Sequence, residues 1–121
     1  MLAGVAPKSA DVPRAVAMLR DHQCAAGVQG CALGDRRAID GLIATHGVIF
    51  DTTARALWVS AGPHLSGKFV KIDLRAIFAP GHDPAKDPPP ETIGEDPILH
   101  DGRYEAGRAH VGGPHFEKDN R

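Results

Sequence analysis

The sequence predicts an α+β fold: short helices packed on an antiparallel sheet of about three strands. Three observations carry this. Apolar residues recur at helical spacing near the start of the chain, where Val12, Val16 and Leu19 fall at i, i+4 and i+7. From Thr45 the period drops to two and the residues become β-formers. The first two strand-like runs are separated by a connection short enough for a hairpin.

Taken in order, Asp11 is placed to cap the first helix, over about 12–21, and Pro13 suits its first turn, where a missing N–H costs nothing. Asp21–Gly34 contains three glycines and no periodicity, so it reads as a loop. Asp35 offers a cap for a second short helix with Ala38, Ile39, Leu42 and Ile43 on one face, weakened by Gly41. Thr45–Asp51 reads as a strand. Asp51, Thr52 and Thr53 supply turn chemistry, and 56–60 is the returning strand. Gly62-Pro63 ends it. A third strand follows over 68–74, with Val70, Ile72 and Leu74 on one face and Phe69, Lys71 and Asp73 on the other. Asp73 is placed to cap a last helical turn over 74–78, which Pro80 stops.

The sheet is apolar on both sides. Val48 and Phe50 alternate with Ile49, and Leu57 and Val59 alternate with Trp58. Two short helices cover one face. The other is left for a partner, because a sheet apolar on both faces needs cover on both.

Composition divides the chain at Pro80. Residues 80–121 hold seven of the ten prolines and nine acidic against five basic residues, a local charge of −4 within a total of −1. Their large apolar side chains are Ile93, Ile98, Leu99, Tyr104, Val111 and Phe116, too few to offset chain ordering at about 1–2 kcal/mol per residue. Asp87-Pro88-Pro89-Pro90 favours an extended conformation. The expected organisation is an α+β domain over 1–79 and an extended, disordered or docked tail over 80–121, the other reading being a segment that lies across a partner surface. The near-neutral charge argues against nucleic acid as a partner, and no apolar run approaches the ~20 residues of a membrane helix. Met1–Ala10 has no sustained apolar run of the kind a secretory signal needs.

Candidate reactive residues read blandly. Cys24 and Cys31 are too loosely spaced for a paired-cysteine metal site, so they are expected as thiols in a reducing, cytoplasmic setting. His22 lies near them. His46 opens the first strand as a structural histidine, and His82, His100, His110 and His115 are scattered along the tail at spacings unlike ligand pairs. Gly62-Pro63-His64-Leu65-Ser66-Gly67-Lys68 has the spacing of a phosphate loop. It has Phe69 where a Mg²⁺-binding Ser or Thr belongs, and a strand where a helix should follow, so it reads as a strand-connecting loop.

Three segments together resemble a known family: Leu33-Gly34-Asp35-Arg36-Arg37-Ala38-Ile39-Asp40, Ile43-Ala44-Thr45-His46-Gly47-Val48-Ile49-Phe50-Asp51, and Leu57-Trp58-Val59-Ser60-Ala61-Gly62-Pro63. Gly67–Leu74 fits the strand that would come next. They resemble the C-terminal part of the cysteine N-terminal-nucleophile hydrolases related to acyl-CoA:6-aminopenicillanate acyltransferase and choloylglycine hydrolase. The likeness covers roughly residues 12–79, about the last quarter of a full family member. It implies one sheet of a four-layer sandwich in which two antiparallel sheets meet face to face. It also implies amide hydrolysis or acyl transfer by an N-terminal cysteine whose own amino group is the base. That cysteine would lie far upstream. Here the chain opens Met-Leu-Ala-Gly, so no catalytic residue carries over, no substrate-binding residue is assigned, and neither cofactor nor metal is expected. The expected partner is the missing N-terminal part of such a hydrolase, or a second copy of the chain, through the apolar sheet face. The other reading is a standalone α+β binding or structural module that pairs with itself.

Overall fold

A computed structural model describes residues 11–109 of the chain. Helix α1 spans Val12–Leu19, and Asp11 caps it by accepting the Arg14 N–H at 2.9 Å. The strands are β1 (Val48–Asp51), β2 (Ala56–Ser60) and β3 (Phe69–Asp73). Helix α2 (Leu74–Ile77) begins at the Asp73 cap, whose carboxylate accepts the N–H groups of Arg75 and Ala76. Strand β4 (Thr92–Ile93) and helix α3 (Arg103–Arg108) complete the order. The class is α+β, with an antiparallel sheet in the order β1-β2-β3-β4, so there are four strands rather than three.

Register explains which face is buried. Ile49 pairs with Trp58, and Ser60 with Phe69, which pairs in turn with Ile93. Trp58 and Phe69 pack with Val16 of α1 to make the core, and Val12, Leu19, Ile49 and Ile93 close around it. Phe69 is fully buried. Gly47 lies directly above this core: a Cβ there would run into the Leu65 side chain, so any larger residue would push the loop off the sheet.

The predicted second helix is absent. Residues 35–43 form turns, and Leu42 sits in the left-handed region at φ 55°. The physical reason is Asp40. Its N–H bonds the Asp21 carbonyl at 2.9 Å and its carboxylate accepts the Leu42 N–H at 3.1 Å, so the helical i−4 partners lose to a side-chain turn. Ala38 and Leu42 are buried, but Ile39 and Ile43 remain 40% and 46% exposed. Among the described residues α1 is thus the one helix packed on the core face of the sheet.

The stretch after Pro80 also departs from expectation over 84–109, where it is ordered into short elements. Pro84–Lys86 and Pro97–Leu99 are 3-10 turns, each capped by the preceding aspartate. β4 pairs with β3, and Ile98 is buried to 1% exposure. Gly107 of α3 lies against Leu33 and Leu42, where a Cβ would come within 2.8 Å of both side chains. Counting apolar side chains misjudged this stretch because polar anchors hold much of it in place. Val111, Phe116, His110 and His115 lie outside the described residues. Among the described residues no helix is long and apolar enough to cross a membrane.

Phenylalanines on the two faces of the sheet give opposite expectations. Phe69→Ala removes a fully buried ring and lowers stability by about 3–5 kcal/mol. Phe50→Ala, at a position 70% exposed, stays within about 0.5 kcal/mol of the parent. Urea unfolding followed by tryptophan fluorescence measures both.

Candidate functional site

The outer face of the sheet is an uncharged array. Val48, Val59 and Val70 form one cross-strand row, and Phe50, Leu57 and Ile72 form the next. Among the described residues this array stays open: Val48 is 40% and Phe50 70% exposed, and the other four are only half-buried. Beyond it, Ile77 and Phe78 at the end of α2 are 42% and 80% exposed. A cavity of about 680 Å³ opens between Phe50, Arg55, Leu74 and Phe78. A second, of about 520 Å³, lies where Pro88, Pro89 and Pro90 pass Val70, Ile72 and Ile77. Period-two alternation puts the six residues of β1–β3 on one side, with Thr92 of β4 beside Val70 and Arg55 at the margin.

On the covered side, a polar cluster joins three stretches of chain. The His22 Nε2 lies 3.0 Å from Asp96 Oδ2, and its Nδ1 lies 3.6 Å from Asp40 Oδ2. Ser66 donates its hydroxyl to Asp40 at 3.2 Å, and the Asp96 N–H bonds the Ser66 carbonyl at 2.8 Å. Asp40 and Ser66 are fully buried. Serine, histidine and two carboxylates suggest a hydrolytic site, but the geometry gives them another task. The Ser66 hydroxyl is turned to a carboxylate instead of the imidazole, and it is sealed from solvent. It is neither activated nor presented to a substrate. The cluster ties loop 21–42, loop 61–68 and the post-β4 segment into one body.

Arg20 completes that tie. Its guanidinium donates to the carbonyls of Leu65 at 3.0 Å, Gly67 at 2.8 Å and Gly94 at 2.7 Å, and stands 5.5 Å from the centre of the Phe69 ring. Burial pushes the Arg20 guanidinium below its ordinary value, and Asp96, Asp40 and Glu95 pull it back up. Trp58 Nε1 is the only buried side-chain polar atom among the described residues without a partner, at a cost of about 1–3 kcal/mol.

The remaining sequence candidates resolve as follows. Cys24 and Cys31, expected as thiols, are joined in a disulfide with their Cα atoms 6.0 Å apart. An isolated antiparallel bridge between Cys24 and Ala38 folds the loop back on itself and brings the sulfurs together, which spacing alone did not show. Close by, Arg37 donates to the Asp35 carboxylate at 2.6 and 2.9 Å, and this pairing raises the Arg37 guanidinium above its ordinary value. His46 is exposed and lies outside the cluster. His82 pairs with Asp87 and His100 with Glu95 at the surface. The stretch with phosphate-loop spacing connects β2 to β3: Ala61 N–H bonds the Lys68 carbonyl, and Gly67 presses so closely on Gly62 that a Cβ has no room. The Asp51 carboxylate accepts the Ala54 N–H at 2.9 Å, so the hairpin turn uses the predicted chemistry.

No family model, no curated protein and no solved structure matches the chain.

Arg20→Ala frees three carbonyls and is expected to destabilise the chain by about 1.5–3 kcal/mol for each charge-assisted bond that water cannot replace. Hydrogen–deuterium exchange gives the local readout: the amides of Asp96 and Ile98 lose protection first. Unchanged protection there shows that Arg20 does not hold the segment.

Proposed function

We propose that this chain supplies one sheet of a two-sheet sandwich in an amide-hydrolysing or acyl-transferring enzyme of the cysteine N-terminal-nucleophile type, and that its partner is the part carrying the nucleophile. The observation that carries this reading is the open array Val48, Phe50, Leu57, Val59, Val70 and Ile72. Aligned sheets pack face to face about 10 Å apart through such arrays. Burying one ring the size of Phe50 contributes about 1.5–3 kcal/mol. The resemblance of residues 12–79 to the last quarter of that family supports the enzyme class. Cys24 and Cys31 are bonded to each other and Ser66 is sealed, which fits a chain whose chemistry resides elsewhere.

A second reading, a module that pairs with itself, rests on the same array, because a uniform apolar face complements its own copy. Co-expression with the product of the reading frame immediately upstream separates the two. A one-to-one complex that cleaves an amide or thioester, and that Phe50→Asp disrupts without changing the chain's own circular dichroism, supports the hydrolase. A concentration-dependent dimer of the chain alone, broken by the same substitution, supports the self-pairing module. A chain that turns over substrate unaided, or that stays monomeric and binds no 8-anilinonaphthalene-sulfonate, overturns both.

A further inference from the structure

The Cys24–Cys31 loop contains a third ligand-type group. The two sulfurs and a carboxylate oxygen of Asp35 all lie within 4.8 Å of one another. Zinc bound by thiolate at about 2.3 Å and carboxylate at about 2.0–2.2 Å holds its ligands roughly 3.5–3.8 Å apart in a tetrahedron. The two sulfurs, 2.02 Å apart while bonded, would have to separate by roughly 1.5–1.8 Å on reduction to reach that spacing, with the Asp35 carboxylate already beside them. The backbone is already arranged for it: the Cys24–Ala38 bridge closes the base of the loop, and Asp35 N–H bonds the Ala32 carbonyl at 3.0 Å. Asp35 is also aimed by its own turn, since its Oδ1 accepts the Arg37 N–H at 2.9 Å.

We propose that Cys24, Cys31 and Asp35 form a redox-gated site for Zn²⁺, closed while the disulfide stands and opened when it is reduced. A dithiol reductant gives the bridge two electrons and two protons. It leaves two thiols on this chain and a disulfide on itself. Zn²⁺ then binds both sulfurs as thiolates and releases the two protons to solvent, with the Asp35 carboxylate as third ligand and water as fourth. The disulfide and the ion thus close the same loop by alternative means, one in oxidising and the other in reducing surroundings. Arg37 competes with the ion for Asp35, so the ion pair sets how tightly the site holds.

Co²⁺ titration of the reduced, desalted chain under anaerobic conditions tests this, because a thiolate-to-cobalt charge-transfer band distinguishes this site from the chain's seven histidines. Expected are saturation at one equivalent, displacement by Zn²⁺, and no band in the oxidised chain. Asp35→Asn weakens Co²⁺ binding roughly tenfold or more, and Arg37→Ala strengthens it. Cys31→Ser removes the band; iodoacetamide treatment of the reduced parent chain does the same and serves if that variant misfolds. A reduced chain with no band, a band that survives alkylation, or affinity unchanged by Asp35→Asn overturns the proposal.

Discussion

The guanidinium of Arg20 is the contact on which the rest of the molecule depends. It leaves the end of α1, crosses the Phe69 ring and binds carbonyls from the β2–β3 loop and from the residue after β4. One side chain thus sets the helix, the loop and the later segment at fixed distances from the core. His22, Asp40, Ser66 and Asp96 extend the same logic with polar bonds. A chain with a core as small as Val16, Trp58 and Phe69 has little apolar burial to spend on long-range order, so it relies on charge-assisted hydrogen bonds to backbone carbonyls.

That reliance decides what was legible in the sequence. The strands were readable because alternation along β1, β2 and β3 is a local property, but alternation with apolar residues on both faces did not say that Ile49, Trp58 and Phe69 would form the covered one. The Asp11 and Asp73 caps were readable for the same reason. The helix expected over 35–43 failed because Asp40 is fully buried and its carboxylate is bonded to its own backbone two residues on. The ordered stretch 84–109 was missed because its anchors are partners far away in sequence, such as Lys71 to Glu91, Gly94 to Arg20 and Asp96 to His22. No composition count registers such pairs. Nothing in the local pattern singled out Arg20. The disulfide was hidden by the loop's return at Ala38.

The two faces of the sheet differ in kind. The covered face is mixed: aromatic rings, the Ser60 hydroxyl bonded to Gly47 N–H at 2.7 Å, and Lys71 5.7 Å from the centre of the Trp58 ring and paired with Glu91. The open face carries six apolar side chains in two rows and nothing else across β1–β3. Most polar groups on the covered face have partners in this chain, Trp58 Nε1 being the exception, whereas the six side chains of the open face make no hydrogen bonds at all.

The run Pro88-Pro89-Pro90 has a geometric consequence. It passes β3 just before the two-residue β4, and prolines offer no amide hydrogens to an approaching strand. The prolines therefore protect that margin of the sheet from an added strand, and they leave β1, four residues long, as the edge strand at the opposite margin.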